Sequence, residues 1–149
     1  MSETVEHPIF GTLKKFVERD GTIDLMGDMS IGNRPEFRIH ITGSPDKSEA
    51  EILQLAADSH AVFLQKEVEI LKTAVNTSVT NKKLEEVEAD TEEAVSREDA
   101  LKNYAKIFIL NYYTELDEVS IVYQDESGFF GTDIQVEANL AFTEIKVDA

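Results

Sequence analysis

The chain has 149 residues, a formal net charge of −16, and neither cysteine nor tryptophan. This length is about one ordinary domain, so we expect a single domain over 1–149. Without cysteine, a disulfide framework, a zinc–thiolate site and a cysteine nucleophile are excluded. The acid excess argues against nucleic acid as a partner, because lysine and arginine supply affinity for a phosphate backbone. No purely apolar run exceeds four residues and the first residues are not basic, so we predict no membrane span, no export signal and a cytoplasmic location.

Residues 1–43 read as strands. Phe37, Ile39 and Ile41 alternate with polar residues at the period of two that is typical of a half-buried strand. Similar patterns occupy 10–17 and 22–31, and the turn sequence at 19–21 separates them. These patterns predict a three-stranded antiparallel meander.

The middle of the chain has helical periodicity. Ser48 and Glu51 have the spacing of a capping box, and apolar residues then recur at steps of three and four. This pattern predicts a helix over about 48–75 with a break near 76–78. Residues 80–95 belong to a very acidic stretch with a thin apolar stripe, so they form either a marginal surface helix or a mobile acidic connection.

A further helix is predicted from about residue 96, since Leu101, Tyr104, Phe108 and Tyr112 follow one another at steps of three and four. Alternation of apolar and polar residues returns after residue 120 and predicts strands to the end of the chain. The expected fold class is therefore α+β. It comprises a mostly antiparallel sheet from N-terminal and C-terminal strands, with two to three helices from the middle of the chain packed on one face.

No motif assigns a reaction. His7, His40 and His60 lack the spacing of metal ligands on one helix face, and no calcium loop, nucleophile elbow or phosphate-binding loop is present. We expect His60 to be a hydrogen-bonded histidine beside the apolar stripe and His40 to lie on the polar face of its strand. The sequence therefore predicts no catalytic residue, no metal and no cofactor.

The candidate binding residues lie mainly in one loop. Asp125 and Glu126 precede the adjacent aromatic residues Phe129 and Phe130, which glycines flank. Neighbouring residues of a strand face opposite sides, so one interpretation is that one phenylalanine caps the core while the glycines supply a turn. The functional interpretation is an aromatic contact point rimmed by acids, suited to anchoring a partner. His40, on a polar strand face, completes the candidate set.

Both ends of the chain resemble bacterial domains that are catalogued without an assigned function. Residues 7–13 resemble an opening Phe-Gly-x-Leu strand, and residues 129–136 resemble a closing aromatic-Gly-x-x-Ile-x-Val strand. In those domains a histidine often stands shortly after the second glycine, whereas this chain has Thr132 and Asp133. The resemblance implies a cytosolic bacterial protein and transfers no activity.

Two functional hypotheses follow from the sequence, with a third beside them. The first is a non-enzymatic, immunity-like or regulatory domain that binds a basic protein through its acidic surface. The second is an enzyme whose site is assembled from scattered carboxylates and histidines. The third is an acidic mimic of nucleic acid, with the acids of 85–99 on one rigid face. The terminal strands are also candidates for pairing across a homodimer, and neither nucleic acid nor a membrane is expected as a partner.

Overall fold

The computed structural model describes residues 3–32, 34–78, 106–124 and 133–148. These residues form one eight-stranded sheet and one long helix that packs against it. The strands are β1 (Glu3–His7), β2 (Gly11–Val17), β3 (Ile23–Met29), β4 (Phe37–Gly43), β5 (Lys106–Tyr113), β6 (Glu118–Gln124), β7 (Ile134–Ala138) and β8 (Ile145–Asp148). The helix α1 (Glu49–Ser78) comes between β4 and β5 in the chain.

The eight strands lie side by side in chain order. Neighbouring strands are antiparallel except for β4 and β5, which are parallel at the centre of the sheet. Tight turns join antiparallel strands, whereas a parallel pair needs a long crossover, and α1 belongs to that crossover. Two antiparallel meanders are thus joined through one parallel pair.

The predicted fold class is wrong. The described residues contain one helix rather than two to three, and the sheet, predicted to be mostly antiparallel, is a mixed sheet with a parallel pair at its centre. The helix predicted over 48–75 is present as Glu49–Ser78. The stretch 80–95, predicted to be a marginal helix or a mobile connection, lies outside the described residues.

The helix predicted from residue 96 fails where the structure describes it, because 106–113 form the central strand β5. A register shift between Ile107 and Ile109 interrupts the strand's alternation. Phe108 at this irregularity is 53% exposed, whereas Tyr112 is fully buried. Because of this irregularity the apolar residues of β5 do not alternate at a period of two. Their spacing of three and four residues was therefore interpreted as helical.

The core lies between α1 and one face of the sheet. Strand residues such as Ile39, Ile41 and Leu110 are fully buried there, and Ile52 and Phe63 fill the same layer from the helix. Fully burying a side chain of this size contributes about 1.5–3 kcal/mol. This layer therefore fixes which face of the sheet the helix covers.

The two outer hairpins also reach the helix. Phe10, in the turn between β1 and β2, contacts the ring of His60 at a centroid distance of 5.5 Å. Phe142, between β7 and β8, lies 5.8 Å from Phe63, and Ser59 Oγ donates a hydrogen bond of 2.7 Å to the carbonyl oxygen of Leu140. Phe142 has a φ of 53°, a left-handed conformation within the loop that joins β7 to β8.

A second polar connection inside the core centres on Glu67 of the helix, whose side chain is 2% exposed. Its carboxylate accepts a hydrogen bond of 2.6 Å from Arg34 Nη1 and another of 2.8 Å from the hydroxyl of Tyr123. Burial raises the pKa of Tyr123, so its hydroxyl stays protonated and donates. A buried carboxylate is tolerated here because both of its oxygens have partners.

Candidate binding surface

No described element covers the second face of the sheet, called the open face below. Its central strand β4 directs Arg38, His40 and Thr42 to this face, while the alternate residues are buried under the helix. The register places Met26 of β3 and Asn111 of β5 on either side of His40. The predicted placement of His40 on a polar strand face is therefore confirmed.

Asp24, His40 and Thr42 form a compact polar cluster on the open face. The hydroxyl of Thr42 donates a hydrogen bond of 3.1 Å to Asp24 Oδ1, and Nε2 of His40 lies 3.3 Å from the same oxygen. Thr42 Oγ1 and His40 Nε2 are 3.2 Å apart. The side chains of Asp24 and His40 are 16% and 24% exposed, so neighbouring strands partly shield them. Tyr113 directs its ring edge-on to His40 at 6.4 Å.

The geometry of this cluster differs from that of a catalytic relay. In a relay, one imidazole nitrogen receives the proton of the nucleophile while the other is held by the carboxylate. Here the Nε2 atom of His40 faces both the Asp24 oxygen and the Thr42 hydroxyl. The cluster also lies on a sheet face rather than in an enclosed cleft. The contacts of His40 therefore differ from those of a histidine in a relay.

Glu18 extends the negative charge of this cluster. A hydrogen bond to Asp24, together with repulsion from its carboxylate, raises the pKa of Glu18. Nearby Asp20 has the opposite behaviour, because its hydrogen bond from the backbone N–H of Thr22 lowers its pKa. Acids from the β2–β3 turn and from β3 thus lie close together beside His40.

The topology brings further acids to the same end of the sheet. Alternate strands run in opposite directions and β4 and β5 run in the same direction, so the linkers 18–22, 44–48, 114–117 and 139–144 share one end. Their acidic residues, all exposed, are Glu18, Asp20, Asp46, Glu115, Asp117 and Glu144, and their basic residues are Arg19 and Lys47. We call these four linkers the acidic end.

The opposite end of the sheet has no such excess in its described linkers. The described linker residues at this end, 8–10, 30–32, 34–36 and 133, contain one base, Arg34, and two acids, Glu36 and Asp133. Arg34 is occupied by its ion pair with the buried Glu67. Among the linker residues that the structure describes, the excess of acids is therefore larger at the acidic end.

The sequence-based candidates are only partly placed by the structure. His40 lies on the open face beside Asp24, whereas Asp125, Glu126, Phe129 and Phe130 lie outside the described residues. Their role in binding, like that of His40, stays a prediction.

The other two histidines are away from this face. Nδ1 of His60 shares a hydrogen bond with the buried Tyr112, as the prediction of a hydrogen-bonded histidine requires. Nδ1 of His7 accepts a hydrogen bond of 3.1 Å from the backbone N–H of Ile9. His7 and His60 both contact the ring of Phe10, so neither reaches His40.

Sequence reasoning missed Glu18, Asp20 and Asp24. Residues 1–49 carry six bases and nine acids, so a count of charge along the chain draws attention to the residues after 49 instead. The turn sequence at 19–21 could have indicated that these acids lie at one end of the sheet, because a hairpin turn lies at a sheet end. It does not indicate which other linkers share that end.

Among the residues that the structure describes, no group of three or more histidines and carboxylates has the arrangement of a metal site. Within the same residues, no helix is long and apolar enough to cross a membrane. Comparison with known protein families, with curated proteins and with solved structures gave no match. The resemblance of the two ends of the chain to uncharacterised bacterial domains therefore stays a prediction.

Proposed function

We propose that the chain is a cytoplasmic, non-enzymatic protein-binding domain that binds a basic protein through the acidic end. The observation that carries the proposal is the collection of six exposed acids and two bases in four linkers that share one end of the sheet. Such a surface attracts a positively charged partner over about one Debye length, roughly 8–10 Å at physiological salt. The attraction speeds association and weakens as salt rises.

The polar cluster on the open face supports binding over catalysis. Asp24, His40 and Thr42 are preorganised by mutual contacts of 3.1–3.3 Å, yet a single imidazole nitrogen makes both contacts of the histidine. Preorganised acceptors beside Tyr113 fit the side chain of an arginine or lysine, through hydrogen bonds and a cation–π contact. The enzyme hypothesis has no comparable geometry among the described residues.

Affinity capture with a charge-matched pair of variants tests this proposal. The test variant combines Glu18→Gln, Glu115→Gln and Glu144→Gln, which remove three charges from the acidic end. The control combines Glu3→Gln, Glu36→Gln and Glu69→Gln, which remove three exposed charges elsewhere. Each tagged protein, and the unmodified chain, is used to capture partners from the native lysate at low and at moderate salt.

We expect the unmodified chain and the control variant to recover the same basic protein. The test variant should recover several-fold less of it, and moderate salt should reduce recovery for all three. Equal recovery by the test and control variants contradicts the proposal. Recovery of no specific partner, or of an acidic one, contradicts it as well.

A further inference from the structure

A shallow groove of about 420 Å³ lies at the acidic end, where β6 begins, β7 ends and β8 begins. Two large aliphatic side chains line it, Leu116 of the β5–β6 turn and Ile145 of β8. Their exposed fractions are 68% and 39%, and Leu116 is the most exposed large apolar residue in the described part of the chain. An exposed aliphatic pair in a concave site is typical of a contact surface rather than of a core.

The turn that carries Leu116 is held in place. The backbone N–H of Leu116 donates a hydrogen bond of 3.1 Å to the carbonyl oxygen of Tyr113. The next residue, Asp117, has a φ of 51°, and its Oδ1 accepts a hydrogen bond of 3.1 Å from the N–H of Leu140 in the β7–β8 loop. The two linkers that form the groove are therefore joined before any partner arrives, which reduces the entropy lost on binding.

The walls of the groove are acidic. Its charged lining residues are Asp117, Glu118, Glu137, Glu144 and Lys146. Lys146 lies opposite Glu137 in the β7–β8 register and also approaches Asp148, with Nζ and Oδ2 3.8 Å apart. One lysine thus stands among four carboxylates, so the groove favours a cationic neighbour.

Two other grooves on the described surface lack this excess of acids. One of about 530 Å³ across β1–β4 is lined by Lys14 and Arg38, with Asp28 as its acid. Another of about 480 Å³, beside Phe108, has two bases, Arg38 and Lys106, and two acids, Asp28 and Glu36. Of these three grooves, only the one at the acidic end combines exposed aliphatic side chains with a clear excess of carboxylates.

We propose that this groove is the contact point for a segment of the basic partner in which lysine or arginine residues flank an aliphatic side chain. The aliphatic side chain packs between Leu116 and Ile145, and the flanking cations meet the carboxylates of Glu118, Glu137 and Glu144. This inference rests on the proposed function for the charge of the partner. It adds where the partner binds and that recognition needs an apolar residue as well as positive charge.

Synthetic peptides test the inference on the full chain. The probes are Lys-Lys-Leu-Lys-Lys, the same peptide with serine in place of leucine, and Glu-Glu-Leu-Glu-Glu. Each is titrated into the ¹⁵N-labelled chain, and amide shifts are recorded by NMR. We expect the lysine–leucine peptide to shift the amides of Leu116, Glu118 and Ile145. It should bind about fivefold more tightly than the serine peptide, because a partly buried leucine supplies part of its transfer free energy.

A pair of matched variants checks the site. Leu116→Ser should reduce the affinity for the lysine–leucine peptide to that for the serine peptide. Val17→Ser, a control at an apolar residue that is 62% exposed and lies outside the groove, should leave both affinities unchanged. Both positions are exposed, so the fold should tolerate the changes.

Three results would overturn the inference: equal affinity for the leucine and serine peptides, shifts confined to another surface, or an unchanged affinity in Leu116→Ser. If one of these occurs while capture of a basic partner still depends on Glu18, Glu115 and Glu144, the groove is not the contact point, but the proposed function stands. Failure of the capture experiment as well would reject both.

Discussion

Nδ1 of His60 lies 2.8 Å from the hydroxyl oxygen of Tyr112, so a hydrogen bond inside the core joins the helix to the central strand β5. Burial among Phe10, Phe63 and Tyr112 lowers the pKa of His60 to about 4. A histidine that must stay neutral in the folded state makes stability depend on pH.

The free energy of unfolding should fall as the pH falls from about 6.5 to about 4. The unfolded chain protonates His60 near its ordinary pKa of about 6.5, whereas the folded chain does so only near 4. The unfolded state therefore binds more protons across this window, and the loss through His60 is on the order of 3 kcal/mol. Urea unfolding at a series of pH values measures it. In His60→Gln the decrease over the same window should be smaller by about that amount, and equal decreases would refute the assignment.

Replacing Glu67 by alanine should lower the free energy of unfolding by about 3–5 kcal/mol, because it removes the buried carboxylate from Arg34 and Tyr123. Tyr123→Phe, which removes one hydrogen bond to a charged acceptor, should cost about 1.5–3 kcal/mol. Denaturant unfolding of each variant provides the values. Glu69→Ala, at an exposed carboxylate two residues further along the helix, serves as the control and should change stability by less than about 0.5 kcal/mol. Equal effects of Glu67→Ala and Glu69→Ala would contradict this account.

Gly43→Ala should destabilise the fold by about 1–3 kcal/mol, because a β-carbon at the end of β4 would overlap the side chain of Ile52 in the first turns of the helix. Ile52→Ala alone leaves a cavity and should cost about 2–5 kcal/mol. In the double variant the two losses should sum to less than their separate values, since the smaller side chain makes room for the new methyl group. A double-mutant cycle by urea unfolding gives the coupling. Strict additivity would show that the helix does not approach β4 at this residue.

The carboxyl group of Glu18 should titrate above its ordinary pKa of 4.5, and Asp24→Asn should shift that pKa back toward the ordinary value. The variant changes the hydrogen bond between the two carboxyl groups and removes the negative charge that repels ionised Glu18. Side-chain carboxyl ¹³C shifts followed against pH report the change directly. Asp28→Asn, at the other end of β3, is the matched control and should leave the titration of Glu18 in place. An identical Glu18 pKa in the unmodified chain and in Asp24→Asn would contradict an interaction between the two carboxyl groups.

Periodicity predicted much of the fold where it was regular. The helix over Glu49–Ser78 and the strand over Phe37–Gly43 follow from apolar spacing, because each buries one face against the same core. Strand β1 was missed because Val5 is the one aliphatic residue in Glu3–His7, so the segment shows no alternation. Pairing with β2 and the packing of Val5 against the core maintain the strand. The strand β5 was taken for a helix because the shift between Ile107 and Ile109 hides its alternation.

The candidate site could be predicted only in part, because the sequence pattern describes single strands and not the contacts between them. Alternation along β4 placed His40 on the polar face, a property of a single strand. The contact of His40 with Asp24 is set by the register between β3 and β4. The pattern of a single strand does not predict that register.

By itself, the sequence determined that this chain is strongly acidic, lacks cysteine chemistry and contains a long amphipathic helix among strands. These properties depend on composition and on neighbours a few residues apart. The tertiary structure decided which of the described acidic residues lie at the same end of the sheet. The parallel pairing of β4 with β5 brings Glu18 and Asp20 to the same end as Glu115, Asp117 and Glu144. Those residues are about a hundred positions apart in the chain, and only the direction of each strand determines that they share one end.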